Sequence, residues 1–271
     1  MLTSLLAVVG RNCTAGIDLE PDIAYIGHRG SCASWPFKGI CNTLNNITLV
    51  DIIIRYNLGP GLQIAVQHLG AGAPIDVNFE RVLVQGVALD GVNASAVEPQ
   101  GNMGMGLMIG GVQSNGTVGR VLFSSLSVSD TAQPGIVVED KVPSPGTSFI
   151  FDSCQFSRVA RAPQVCWGGQ NVPLLLHESH PTSRGVGGFS FTNCTVEDEL
   201  KRPFLKCDSC ASRGTAFEVT GDFHVSNPRG CTTALQGKQD RALPPGLTVD
   251  CSHKTDDEVP AASSLAYVQS D

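Results

Sequence analysis

Apolar residues recur along the chain in an eight-residue pattern, apolar at its first, third, sixth and eighth positions. The copies place Ile47, Leu49, Ile52 and Ile54; then Val77, Phe79, Val82 and Val84; then Val121, Phe123, Leu126 and Val128. They continue with Phe149, Phe151, Cys154 and Phe156, then with Phe189, Phe191, Cys194 and Val196. The last, with one inserted residue, is Phe217, Val219, Phe223 and Val225. Positions one and three alternate as a strand does, and the step of three that follows predicts a bend before a second short alternating segment.

A second pattern, Gly-apolar-x-apolar-x, follows most copies at Gly61, Gly106 and Gly135, and its first instance is Gly16-Ile17-Asp18-Leu19-Glu20. The shortest repeat spacing, from Val121 to Phe149, is the length of one coil of a parallel solenoid, and longer spacings leave room for inserted loops. An antiparallel Ig-like sandwich would also show many short strands, but it would not repeat one template in order. No segment carries a capped apolar stripe of helical period. The expected fold is therefore all-β, a parallel β-helix of about six to seven coils. Residues 12–251 form its domain with a loop insertion at 27–43, after a short segment 1–11 and before a disordered acidic tail at 252–271.

Composition narrows the setting. With 16% charged residues, a net charge of -7 and no long Lys/Arg cluster, the chain lacks the footprint of a nucleic-acid or anionic-membrane binder. Its 30 Gly and 16 Pro suit many strands closed by turns. No stretch reaches the length needed to span a bilayer, and Met1 to Gly10 is apolar without the basic start of a signal peptide. Sequons at Asn12, Asn46, Asn93, Asn115 and Asn193, with 10 cysteines, point to an extracellular or secretory setting.

Phe189-Ser190-Phe191-Thr192-Asn193-Cys194-Thr195-Val196 resembles the coil signature of the right-handed parallel β-helix, or pectin-lyase-like, superfamily, and the likeness covers roughly residues 12 to 235. Gly16 to Asp22 (G-I-D-L-E-P-D), Cys194 to Phe204 (C-T-V-E-D-E-L-K-R-P-F) and Val219 to Gly230 (V-T-G-D-F-H-V-S-N-P-R-G) look like landmarks of a subgroup of secreted β-helix proteins. The resemblance implies a right-handed fold and action on polysaccharides. It also implies further coils before the G-I-D-L-E-P segment, so the chain is expected to lack N-terminal coils that relatives carry.

With Ile17 and Leu19 turned inward, Asp18 and Glu20 point outward from one strand, about 6.5 to 7 Å apart. That is near the ~6.5–9.5 Å spacing of inverting glycosidase carboxylates. One could protonate a leaving oxygen while the other activates water. If the Gly-led strands stack in register, Asp18 shares a column with Gln63, Met108 and Val137, and Glu20 shares one with Ala65, Gly110 and Glu139, roughly 14 Å away. Gln63, Gln67 and Glu139 are candidate substrate contacts, with Trp35 and Trp167 as loop aromatics for stacking on sugar rings. The expected partner is an extended polysaccharide bound by a monomer. The carboxylates could instead only hydrogen-bond a loop or hold a calcium ion; no other cofactor or metal is expected.

A non-catalytic glycan-binding or structural β-helix is the alternative class. A polysaccharide lyase, needing an Arg or Lys base, ranks lower because the Gly-led strands carry none at the positions in question, leaving Arg29, Lys38 or Arg161 on loops. His177-Glu178-x-His180 lacks the helical histidine pair of a zinc protease. Cys32 and Cys41 flank one loop as a disulfide staple would. Cys154 and Cys194 occupy one core position of adjacent copies, where they could be bridged or pack as small apolar groups. Cys207 and Cys210 are expected to pair with Cys231 or Cys251 rather than hold a metal.

Overall fold

The computed structural model describes residues 6–9, 15–19, 44–57, 59–65, 74–87, 104–110, 118–139, 147–161, 172–176, 187–207, 217–227, 233–235, 238–241 and 246–252. Every regular element among them is a strand. Numbered in chain order, β1 (Leu6–Val9), β3 (Leu44–Arg55), β5 (Pro74–Val87), β7 (Val118–Thr131), β9 (Thr147–Asp152), β10 (Gln155–Ser157), β12 (Gly187–Glu197), β14 (Phe217–Ser226) and β17 (Gly246–Ser252) build one parallel sheet. A second sheet holds β2 (Ile17–Leu19), β4 (Leu62–Ala65), β6 (Leu107–Gly110), β8 (Ile136–Glu139), β11 (Leu174–Leu176), β13 (Leu205–Cys207), β15 (Thr233–Leu235) and β16 (Lys238–Arg241). Its strands are parallel except for β16, which turns back antiparallel on β15. From β1 to β8 the chain alternates strictly between the sheets, and each visit adds a strand beside the previous one. Among the described residues no helix is long and apolar enough to cross a membrane.

The eight-residue pattern is the register of the first sheet. Ile47, Leu49, Ile52 and Ile54 pair with Val77, Phe79, Val82 and Val84, and these with Val121, Phe123, Leu126 and Val128. The predicted bend is one residue in the left-handed region, between the third and sixth positions. Asp51, Arg81, Ser125, Ser153 and Asn193 all have φ between 51° and 62°. Both halves of each copy stay in the same sheet; the bend lies within one long strand in β3, β5, β7 and β12 and separates β9 from β10. A second left-handed column follows at Tyr56, Gly86, Asp130 and Arg158.

Identical side chains stacked on parallel strands meet at the strand spacing, about 4.8 Å. The rings of Phe79, Phe123 and Phe151 lie 4.8 Å apart at 4°, and Phe191 continues the stack 4.9 Å beyond Phe151. Phe149 and Phe189 form a parallel pair at 5.3 Å. Side chains from both sheets enter one buried apolar cluster. Within it Cys154 and Cys194 are joined by a disulfide, Cα atoms 4.5 Å apart, which decides between the two readings of that pair. Cys251 is disulfide-bonded as well.

The last copy departs from the expectation of an inserted residue. Phe189 pairs with Val219, Phe191 with Gly221 and Cys194 with Phe223, so this repeat is one residue short and Phe217 is not its first core position. The bend residue is the one missing. Gly221, at φ +115°, takes the place of a stacked phenylalanine because a Cβ there would lie 1.7 Å from the Phe191 carbonyl oxygen. The ring of Phe223 fills the gap instead, 4.8 Å from Phe191 and edge-on to Phe204.

The Gly-led pattern is the second sheet, with Ile17, Leu62, Leu107 and Ile136 in register. The glycines are there for space: a Cβ on Gly61 would lie 2.3 Å from Val84, and one on Gly106 would lie 2.3 Å from Val128 and 2.6 Å from the Gly135 carbonyl oxygen. Two further strands, β11 and β13, begin after Pro173 and Phe204 and so escape a search led by glycine.

Candidate functional site

The column through Asp18 continues to Gln63, Met108, Val137, Leu175 and Lys206 on the outer face of the second sheet. Asp18 is exposed, and Gln63 Nε2 donates to its Oδ2 across 3.4 Å. Beyond Gln63 the column changes character: Met108, Val137 and Leu175 are buried with Met105 and Val172 in a second apolar cluster, and polarity returns only at Lys206. Glu139 pairs with Gly110, as the column predicted, and its side chain is not described. Glu20, Gln67, Trp35 and Trp167 lie outside the described residues, as do Arg29, Lys38, Cys32, Cys41, Cys210, Cys231, Asn12, Asn93 and Asn115. Cys207 is described only as strand backbone. Of the remaining sequon asparagines, Asn46 and Asn193 are exposed, each with a left-handed backbone. Arg161, a candidate lyase base, lies 3.4 Å from Glu199.

No group of three or more His, Cys, Asp and Glu that could hold a metal gathers among the described residues.

The landmark segments at 194–204 and 219–230 meet in a buried polar knot. Arg202 donates from Nε and Nη2 to the two carboxylate oxygens of Asp198 at 2.7 and 3.0 Å, and to the carbonyls of Ala160 and Val159 at 2.8 and 2.7 Å. Asn227 adds a bond from Nδ2 to Asp198 and one to the Arg202 carbonyl. With both charges more than nine-tenths buried, full hydrogen bonding is what makes the pair tolerable. These landmark residues therefore tie neighbouring repeats together at one corner.

Two more ion pairs run between left-handed residues one repeat apart. Arg81 forks onto Asp51 at 2.6 and 2.9 Å, and Arg158 onto Asp130 at 2.7 and 2.8 Å. The donated hydrogen bonds hold both carboxyls below the usual aspartate range and push both guanidinium groups up.

A hollow rimmed by polar side chains, which sequence reasoning did not single out, lies on the outer face of the first sheet, at β12, β14 and β17. It is an open depression of about 680 Å³ lined by Asn193, Thr195, Asp222, His224, Thr248 and Asp250, with Cys194, Phe223 and Val249 beneath them. His224 Nδ1 lies 3.0 Å from Asp250 Oδ2. An ionised carboxylate can only accept, so in this contact Nδ1 is the donor. The Asn193 backbone N–H donates to Asp222 Oδ2 at 2.9 Å. Ser153, at the same bend one repeat earlier, donates its N–H to the Thr192 carbonyl, so the Asp222 side chain supplies the acceptor that the shortened repeat withholds. The alternation of Val219 to Val225 marks Asp222 and His224 as outward, but their union with Asp250 depends on the pairing of β14 with β17.

Comparison with protein-family models, curated proteins and solved structures finds no match to this chain.

Proposed function

We propose that the chain is a right-handed parallel β-helix that works outside the cell, binds an extended glycan and hydrolyses it with Asp18 and Glu20. Regular alternation between two in-register parallel sheets supports the β-helix. Right-handedness follows the general rule for parallel crossovers, and a disulfide within the core suits an oxidising compartment. The observation that carries the hydrolytic reading is the exposed Asp18 carboxylate on an outward column beside the Gln63 amide. Alternate residues of a strand lie about 6.5 to 7 Å apart, near the ~6.5–9.5 Å that admits a water between carboxylate and sugar.

The test is release of reducing ends from a panel of plant and algal glycans. Asp18→Asn and Glu20→Gln should each lower the rate at least ~100-fold, the low end for general acid–base groups, with unchanged circular dichroism and melting temperature. Full activity in both variants refutes catalysis by this pair.

A second reading, a glycan-binding or surface-forming β-helix without catalysis, is favoured by the burial of Met108, Val137 and Leu175. The polar stretch beside Asp18 is then only two strands deep before the column turns apolar. Binding of the same glycans without release of reducing ends would establish it.

A further inference from the structure

We propose that the hollow across β12, β14 and β17 is a second saccharide subsite, on a different face of the molecule from Asp18, that takes a neutral sugar through its vicinal hydroxyls. The hollow has a structural origin. It opens beside the shortened repeat, where the step from Gly221 to Phe223 omits the bend residue that other repeats carry. It is an open depression of about 680 Å³ on the sheet surface.

The chemistry of the lining selects the ligand. Asp222 and Asp250 only accept hydrogen bonds when ionised, Thr248 Oγ1 accepts because its proton is given to the Gly221 carbonyl, and Thr195 and the Asn193 amide both donate and accept. Sugar hydroxyls likewise donate and accept, and a carboxylate can take both protons of a vicinal diol. Two carboxylates against one imidazole disfavour a uronate or a phosphate, so the ligand is uncharged. Three of the polar groups are already held in place: Asp222 by the Asn193 N–H, His224 by Asp250, and Thr248 Oγ1 by donation to the Gly221 carbonyl at 3.1 Å. Groups fixed before binding lose little freedom on binding, which favours even a shallow site. Neighbouring strands at about 4.8 Å and alternate residues at about 6.5 to 7 Å set a grid on the scale of one sugar ring.

The subsite shares only its class of ligand with the reading of Asp18 and Glu20. The experiment follows the His224 ring signals by NMR in the full chain while hexasaccharides of β-1,4-glucan, β-1,4-mannan and β-1,4-galactan are added, with hexagalacturonate as an anionic control. At least one neutral hexasaccharide should shift the His224 signals saturably and hexagalacturonate should not. Asp250→Asn should weaken that binding at least tenfold by the same signals, and His224→Ala, which lacks the ring, should weaken it at least tenfold by isothermal titration calorimetry run beside the wild type. Both side chains are exposed, so both variants should keep the wild-type melting temperature. The Asp18→Asn/Glu20→Gln double variant should bind as wild type at this site. No shift with any neutral hexasaccharide, equal affinity in both hollow variants, preference for hexagalacturonate, or loss of the shift in the Asp18/Glu20 variant would each overturn the proposal.

Discussion

Replacing Phe123 with alanine removes the middle of a stack whose neighbouring rings, Phe79 and Phe151, lie 4.8 Å away on either side at 4°. The side chain is 0% exposed, so its whole area is lost from the core, and phenylalanine-to-alanine changes in such sites cost about 3–5 kcal/mol. The cost should fall at the upper end. The surrounding rings belong to in-register strands that cannot close on the cavity, and two aromatic pairings worth about 0.5–1.5 kcal/mol each disappear together. Phe123→Leu keeps most of the volume and loses only the pairings and some fit, so about 1–3 kcal/mol is expected. Equilibrium unfolding in guanidinium chloride, followed by the strand band in circular dichroism, measures both as shifts in midpoint at constant slope. A loss below about 2 kcal/mol for the alanine variant, or equal losses for the two, would refute a tightly packed ring stack as the source of stability.

Four further outcomes are expected. Removing the Cys154–Cys194 disulfide by double serine substitution should cost about 4 kcal/mol, the chain-entropy value for a sequence separation of 40, and thiol counts under denaturing conditions with and without reductant should reveal the bridge in the wild type. Arg202→Met leaves Asp198 buried without its counter-charge and should lower stability by about 3–5 kcal/mol in the same unfolding assay. Gly106→Ala, whose Cβ would meet Val128 and the Gly135 carbonyl, should cost about 1–3 kcal/mol or more; a neutral outcome would contradict the close approach of the two sheets. Asp130 has a folded pKa below its unfolded value because Arg158 donates to it, so its contribution is complete above about pH 4 and is lost as pH falls through the folded pKa. The stability difference between wild type and Asp130→Asn, at most about 1 kcal/mol for a pair still open to solvent screening, should therefore shrink below pH 4, and a constant difference would contradict the ion pair.

Much of the architecture was legible because a parallel repeat writes its register into the order of its apolar residues. Ile47, Val77, Val121, Phe149 and Phe189 align in sequence and pair in space, and Ile17, Leu62, Leu107 and Ile136 do the same behind their glycines. The column joining Asp18 to Gln63, Met108 and Val137 followed from that register. Strands β11 and β13 were not legible, since Pro173 and Phe204 stand where glycine led the others. The slip in the last copy was hidden because Phe217 and Val219 fit the pattern by identity, and only the φ of +115° open to Gly221 makes the shorter step possible.

What the sequence determined by itself, then, is a local rule: which side chains turn inward, where the strand bends, and that Asp18 faces out. The tertiary structure decided how far polar surface extends around it, because the burial of Met108, Val137 and Leu175 depends on what packs over the sheet and not on alternation along one strand. It also decided that Asp198, Arg202 and Asn227 close one knot and that His224 meets Asp250. Those groups lie on different strands, and the distances between them are set by strand stacking, which no spacing along the chain encodes.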